Sequence, residues 1–356
     1  MEDSGGTLEL GPYAHGLRAL GWRGASAGAS RRRGRGRGRR SFSTMALSQS
    51  SPVVVRLSTD MWKASAMGDA RGIRRVVRRV QGRPRVDANA FLHNVHGAKS
   101  LRVAAMHGHE ACVDVLLELG VPVDANDDDG RTALMDALNC NQVACVRKLI
   151  RRGADLEQRH EHDHSPLMRA VCHNAVGAVR VLLYYGAQAD ARRVGDCFTP
   201  LLFATSELRL ECSQLLLEHG VDVDAQSDEG QTSLYFVIRG GLVHKMWAPM
   251  MWLVQLLLKH GATADIADIT GTDPLDLVAR LGAFSEHHLE LFGLLVRGGA
   301  DINRHVGDLT KRTSLLHTAH RQSSVSARYQ IHVEDLLVLY GSRMSTGHKV
   351  RFMMEL

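Results

Sequence analysis

The sequence predicts an all-α solenoid of about seven to eight helix pairs stacked one on the next, with no single central core. Three observations carry this reading. Glycines suited to closing a helix recur at Gly120, Gly153, Gly186, Gly220, Gly261, Gly299 and Gly341, at intervals of 33, 33, 34, 41, 38 and 42 residues. Hydroxyl residues suited to capping a helix start keep step with them at Thr132, Ser165, Thr199, Thr232, Thr272 and Thr313. Between cap and glycine, apolar residues fall at helical spacing twice. Self-similarity at a fixed period outranks any local motif, because it decides the fold.

Thr132 to Gly153 shows one complete unit. Leu134, Ala137 and Leu138 form a first apolar stripe, Asn139 and Asn141 mark a turn, and Val143, Val146, Leu149 and Ile150 form a second. Gly153 supplies the left-handed backbone that ends the second helix, and Arg151 and Arg152 place positive charge at its negative end. Thr199-Pro200-Leu201 and Ser165-Pro166-Leu167 put proline at the first helical position, where a missing N–H does no harm. Gly153-Ala154-Asp155 and Gly299-Ala300-Asp301-Ile302-Asn303 close their units in the same way. With Leu101, Ala104, Ala105, Gly108, His109, Val113, Leu116 and Leu117 in the body, the chain resembles the ankyrin repeat family over roughly residues 60 to 341. The resemblance implies a solenoid whose pairs are joined by β-hairpin fingers on a concave side, and a protein partner whose identity the fold leaves open.

Residues 1–55 are rich in Gly, Ser and Arg with little apolar periodicity, so a disordered tail is expected. The tail carries Arg31, Arg32, Arg33, Arg35, Arg37, Arg39 and Arg40, and removing these seven charges from the net +6 leaves 6 − 7 = −1. The basic balance therefore reports the tail, and the array is about neutral. The run fits an Arg-Gly tract binding RNA phosphates, a nuclear address, or, with Ser41-Phe42-Ser43-Thr44 after it, part of a mitochondrial presequence. A start at Met45 would leave it without a role.

The array is expected over 56–341, beginning with a capping pair at 60–80 whose Arg71, Arg74, Arg75, Arg78 and Arg79 face outward. That basic face suits a solvated cap or a contact with an acidic partner. Regular pairs follow, ending at Gly120, Gly153, Gly186 and Gly220. Three fingers between them stand out as partner-binding candidates, because finger side chains are not needed for stacking. They are Asp127-Asp128-Asp129, Arg159 to His164 with His160 and His162, and Arg192-Arg193. His160-Glu161-His162-Asp163-His164 satisfies the letters of a zinc protease motif, but that chemistry needs both histidines on one helix face. Ser165-Pro166 starts the next helix immediately afterwards, so the motif fails on context and no metal is assigned. In an extended finger His160, His162 and His164 would share one side, which allows an adventitious metal or a pH-sensitive contact.

The fifth pair is eight residues longer than the standard spacing, with Met246, Trp247 and Met250 in an apolar insertion over 240–251. Such a cluster reads either as a partner contact or as extra core folded over its neighbours. The sixth pair, Thr272 to Gly299, and the seventh, Thr313 to Gly341, have longer internal loops, and Ser342 to Leu356 form a short tail. Leu295, Asp301 and Asn303 resemble the setting in which ankyrin asparagines are hydroxylated.

Aromatic content of 5% suits a stack of Leu, Val and Ala helices, and no run of about 18 apolar residues offers a membrane span. Cys112, Cys145 and Cys212 occupy one small position at the start of three second helices, where another pair carries Ala178. Thiols used as packing groups point to a reducing compartment, cytoplasm or nucleus. No Walker loop, nucleophile elbow, dinucleotide fingerprint or kinase signature occurs. The chain is therefore expected to be a non-enzymatic scaffold or adaptor, monomeric and without cofactor, holding another protein on its concave face and fingers. The alternative is an RNA-associated or nuclear protein acting through the Arg-Gly tract.

Overall fold

The computed structural model describes residues 52–83, 87–93, 95–126, 130–159, 163–281 and 286–300. They fall in one compact unit that begins at Pro52. The described residues form fifteen helices: α1 Pro52–Ala66, α2 Ala70–Gln81, α3 Ala88–Leu92, α4 Val95–Met106, α5 Glu110–Glu118, α6 Ala133–Asn139, α7 Val143–Arg151, α8 Pro166–Cys172, α9 Val176–Tyr184, α10 Pro200–Ser206, α11 Leu210–Glu218, α12 Ser233–His244, α13 Trp247–Lys259, α14 Pro274–Leu281 and α15 Glu286–Arg297. First helices α1, α4, α6, α8, α10, α12 and α14 pack in sequence as one layer. Second helices α2, α5, α7, α9, α11, α13 and α15 pack as another.

The first helices of the regular pairs are only seven residues long, too short to persist alone. Their starts are fixed by hydroxyls: Thr132, Ser165, Thr199 and Thr232 accept bonds from the N–H groups of Met135, Met168, Leu202 and Tyr235 at 3.2–3.4 Å. The six closing glycines from Gly120 to Gly299 have φ between 83° and 99°, a backbone region that costs a residue with a Cβ about 1–2 kcal/mol. Burial supplies the rest. Leu101, Leu134, Leu167, Leu201, Leu234 and Leu275 repeat one position of the first-helix layer and are all buried. Cys112, Cys145, Ala178 and Cys212 do the same in the second, each at 0% exposure, which bears out their reading as packing groups.

Several details differ from the sequence expectation. The first helix begins at Pro52 rather than near residue 60, because Val54, Leu57 and Met61 form a stripe that packs into the array. A short helix, α3, precedes the first regular pair and buries Phe91 and Leu92; a Cβ at Gly97 would collide with the Leu92 carbonyl. The cap of α14 is Asp273, which accepts from the Asp276 N–H at 2.9 Å, while the Thr272 hydroxyl meets that of Thr270 instead. The fingers, expected as β-hairpins, contain no strand among the described residues and a single isolated bridge, Asn126 with Thr132. Two others are tight turns closed by two backbone bonds each: the Ser227 and Asp268 N–H groups donate to the Gln231 and Thr272 carbonyls at 3.0 Å, and the Gly230 and Gly271 N–H groups donate back to the Ser227 and Asp268 carbonyls at 3.0 and 2.8 Å. Their arms are too short to form a ladder. The tail with its arginine run, the seventh pair, and Asp301 and Asn303 lie outside the described residues.

Candidate interaction surface

Each finger leads from a closing glycine to the next capped helix, so helix stacking sets the fingers side by side. Acidic side chains then lace neighbours together. Asp124, Glu157, Asp190 and Asp224 each accept a bond from a backbone N–H one repeat further on, at Asp155, Gln188, Asp222 and Thr263, over 2.8–3.2 Å. Nearer the tips, the Asp228 N–H donates to the Asp196 carbonyl and the Ile269 N–H to the Glu229 carbonyl, both at 3.0 Å. A row of backbone and carboxylate bonds thus fixes finger spacing independently of the helices.

This lacing corrects the premise that finger side chains are free of stacking duties. Arg159 donates to the Arg192 carbonyl at 2.9 Å and to Asp163 at 2.8 Å, and Arg192 in turn donates to the Gln226 carbonyl at 3.0 Å. Arg193 turns inward. Its guanidinium pairs with both carboxylate oxygens of Asp196, donates to His164 Nε2 at 2.7 Å, and lies over the Phe203 ring at 4.9 Å. A guanidinium can only donate, so the His164 Nε2 is held as an acceptor. Around this clamp His164, Phe203, Phe198 and Phe236 pack ring on ring at centroid distances of 5.1 Å, spanning three repeats.

His164 therefore does not project from an extended finger. The backbone reverses at Asp163, whose φ of 55° breaks the extended run and turns the imidazole toward Phe203. The Val194 N–H, above all, and Arg159 hold the Asp163 carboxyl below its ordinary range. His160 and His162, like Asp127, Asp128 and Asp129, lie outside the described residues. Among the described residues no group of three or more His, Cys, Asp or Glu side chains is placed to hold a metal.

The insertion resolves into structure rather than a loop. It lengthens α12 to 12 residues and α13 to 13, with Lys245 in a left-handed turn between them. Met250 is fully buried against Gly241, where a Cβ would collide with it. Trp247 is half-buried, stacked on His287 at 5.3 Å and edge-on to His288 at 4.6 Å. Only Met246, at 45% exposure, faces solvent among the three candidates. The contact reading is thus replaced by the core reading for Met250.

Two residues that the sequence reading missed are more exposed than any of these. Val194 and Ile269 occupy fingertips at 80% and 75% exposure, with Asp228 and Glu229 on the finger between them. The signal was a β-branched residue within two positions of a turn glycine, Gly195 or Gly271, where a polar residue is usual. No described helix is long and apolar enough to cross a membrane.

A family model described as ankyrin repeats (3 copies) matches residues 71–160, 101–193 and 167–267. Ankyrin repeat protein nuc-2 of Neurospora crassa is 36% identical over 124 residues, which make up 35% of this chain and only 10% of that protein. The ankyrin repeat domain of Bcl-3, described as a unique member of the IkappaB protein family, superposes with a TM-score of 0.54 at 26% identity, covering 65% of this chain and 96% of that one. The human ASB11 ankyrin repeat domain gives 0.53 at 27% identity, covering 67% and 96%. An ankyrin repeat domain from Acinetobacter baumannii gives 0.51 at 28%, covering 56% and 97%. Matching motifs, two stacked helix layers and these relatives agree, and the chain belongs to the ankyrin repeat family.

Proposed function

We propose that this chain is a non-enzymatic scaffold or adaptor that holds another protein on its fingertips and the adjoining first-helix layer. Ankyrin repeats are generally protein–protein interaction modules, which supplies the class. The observation that carries the surface is the contrast within the fingers. Their backbones and inner side chains are fixed by inter-repeat bonds, while Val194, Asp228, Glu229 and Ile269 point outward at the tips. A rigid row of exposed apolar and acidic side chains can dock a partner with little ordering cost. Asp127, Asp128 and Asp129, outside the described residues, add acidic candidates from an earlier inter-repeat segment of the sequence. A cytoplasmic or nuclear setting fits thiols such as Cys145 and Cys212, which burial pushes up to about 11 and so keeps unreactive.

Affinity capture with the full chain tests this. V194S/D228N/E229Q/I269S should lose partners that the wild type retains, with its melting temperature within about 2 °C, since solvent-facing substitutions rarely change stability by more than about 0.5 kcal/mol. Retention of every wild-type partner by this variant would exclude the fingertips as the docking surface.

A further inference from the structure

The second-helix layer carries a charge pattern that the finger proposal does not use. On α5, Glu110, Asp114 and Glu118 form a carboxylate row at i, i+4 and i+8. Basic side chains grip it from both neighbouring helices. Arg74 of α2 meets Glu118 at 2.7 Å, and Lys148 of α7 meets Asp114 at 2.5 Å and Glu110 at 3.6 Å. The chain thus shows in its own fold how a row of carboxylates on one helix fits a row of cations on the next.

Helix α2 has such a neighbour on one flank only. It presents five exposed arginines, Arg71, Arg74, Arg75, Arg78 and Arg79, and buries Ile73, Val76, Val77 and Val80. Arg74 faces α5. By helical phase Arg75 and Arg79 lie on the opposite flank, with Arg71 and Arg78 on the crest between; among the described helices of the second layer, only α5 packs beside α2. Among the described residues, Arg75 with Asp69 at 2.9 Å is the ion pair these four make. The arrangement is unfavourable for an isolated helix: Arg71 with Arg75, Arg74 with Arg78, and Arg75 with Arg79 are like-charge pairs at i, i+4, and repulsion at this spacing destabilises a helix. Arginine is also the cation best suited to bidentate carboxylate pairing.

We infer that the free flank of α2 is a docking site for an acidic α-helix of a partner protein, seated against Arg71, Arg75, Arg78 and Arg79 as α5 is seated against Arg74. Charge complementarity sets the class of partner, and the α2–α5 contact sets its geometry. A nucleic acid backbone is the competing polyanion, and the RNA arm of the test decides between the two. This surface is separate from the fingertips and stands or falls without them.

The test uses the full chain and a fluorescent alanine-based helical peptide carrying glutamate at i, i+4 and i+8. Its controls are a peptide of the same composition with the glutamates spread around the helix, and a 20-nucleotide single-stranded RNA. Wild type should bind the patterned peptide in preference to the scrambled one. R71Q/R75Q/R78Q/R79Q should weaken that binding about 16-fold, taking about twofold for each exposed ion pair. R180Q, an exposed arginine on α9, should leave it unchanged. R78Q/R79Q keeps the pairs of Arg74 and Arg75, and should lose about fourfold if the quadruple variant does not fold. A charge-reversed chain, R71E/R75E/R78E/R79E, should bind a lysine version of the peptide that wild type ignores. Equal binding of the patterned peptide by wild type and both glutamine variants would overturn the inference. So would equal affinity for patterned and scrambled peptides, or loss of RNA binding without loss of peptide binding.

Discussion

At Arg193 a charge that lies in a loop of the sequence becomes an internal joint of the array. Its guanidinium holds Asp196 on its own finger, His164 on the preceding one, and the faces of Phe198 and Phe203. Removing one partner of a largely buried pair leaves the other charge uncompensated, which costs several kcal/mol. Arg193→Ala should therefore destabilise the chain by about 2–4 kcal/mol in denaturant unfolding. Arg192→Ala, on an exposed neighbour with one bond to the Gln226 carbonyl, should cost at most about 1 kcal/mol. Equal losses would show that the clamp does not connect the fingers. The sequence places both arginines side by side and cannot rank them, because the ranking depends on which one meets the aromatic rings of other repeats.

Among the elements, the α12–α13 pair differs most from the repeat. Its extra residues lengthen both helices, and Met250 fills the space that Gly241 leaves open. Burying a methionine completely makes its removal expensive, so Met250→Ala should lower stability by about 2–5 kcal/mol. Met246→Ser, at an exposed position, should change it by less than about 0.5 kcal/mol. Urea unfolding of the two variants measures the contrast, and similar losses would place the insertion outside the core. Apolar composition alone left contact and core undecided. Helical phase decides it, since Met246 precedes α13 while Met250 sits on the face that α13 turns toward α12.

For the whole molecule, stability is a sum over neighbouring pairs, so a weakness in one pair is felt along the stack. Buried and half-buried imidazoles are such a weakness. Burial, with help from His287, holds His288 below its ordinary value of 6.5, and burial with Lys99 does the same to His96. The unfolded chain therefore takes up protons near pH 6.5 that the folded chain accepts only at lower pH. The stability these groups contribute is complete above 6.5 and is lost as pH falls through the lowered values. The melting temperature should be flat above about pH 7 and fall as the pH drops below about 6.5. His288→Leu should flatten part of that fall. Asp163, whose carboxyl is held below 3.8, adds a further loss only at more acid pH.

The repeat was legible because its signals are local. A hydroxyl caps the helix that follows it, a glycine closes the helix before it, and leucine and cysteine positions mark faces, all within one helix pair of sequence. By itself the sequence therefore determined the family, the two-helix unit, the buried thiols and the outward arginines of α2. The tertiary structure decided everything that depends on a neighbour one repeat away. It set which finger carboxylates lace the stack, turned His164 and Arg193 inward, placed Met250 in the core, and left Val194 and Ile269 exposed at the tips. The physical reason is that these assignments rest on bonds between residues roughly 30 to 40 positions apart, such as Arg159 with Arg192 and Asp224 with Thr263. Periodicity shows that such residues share a layer, but only the packed stack shows which side chain is used up holding its neighbour and which is left to meet a partner.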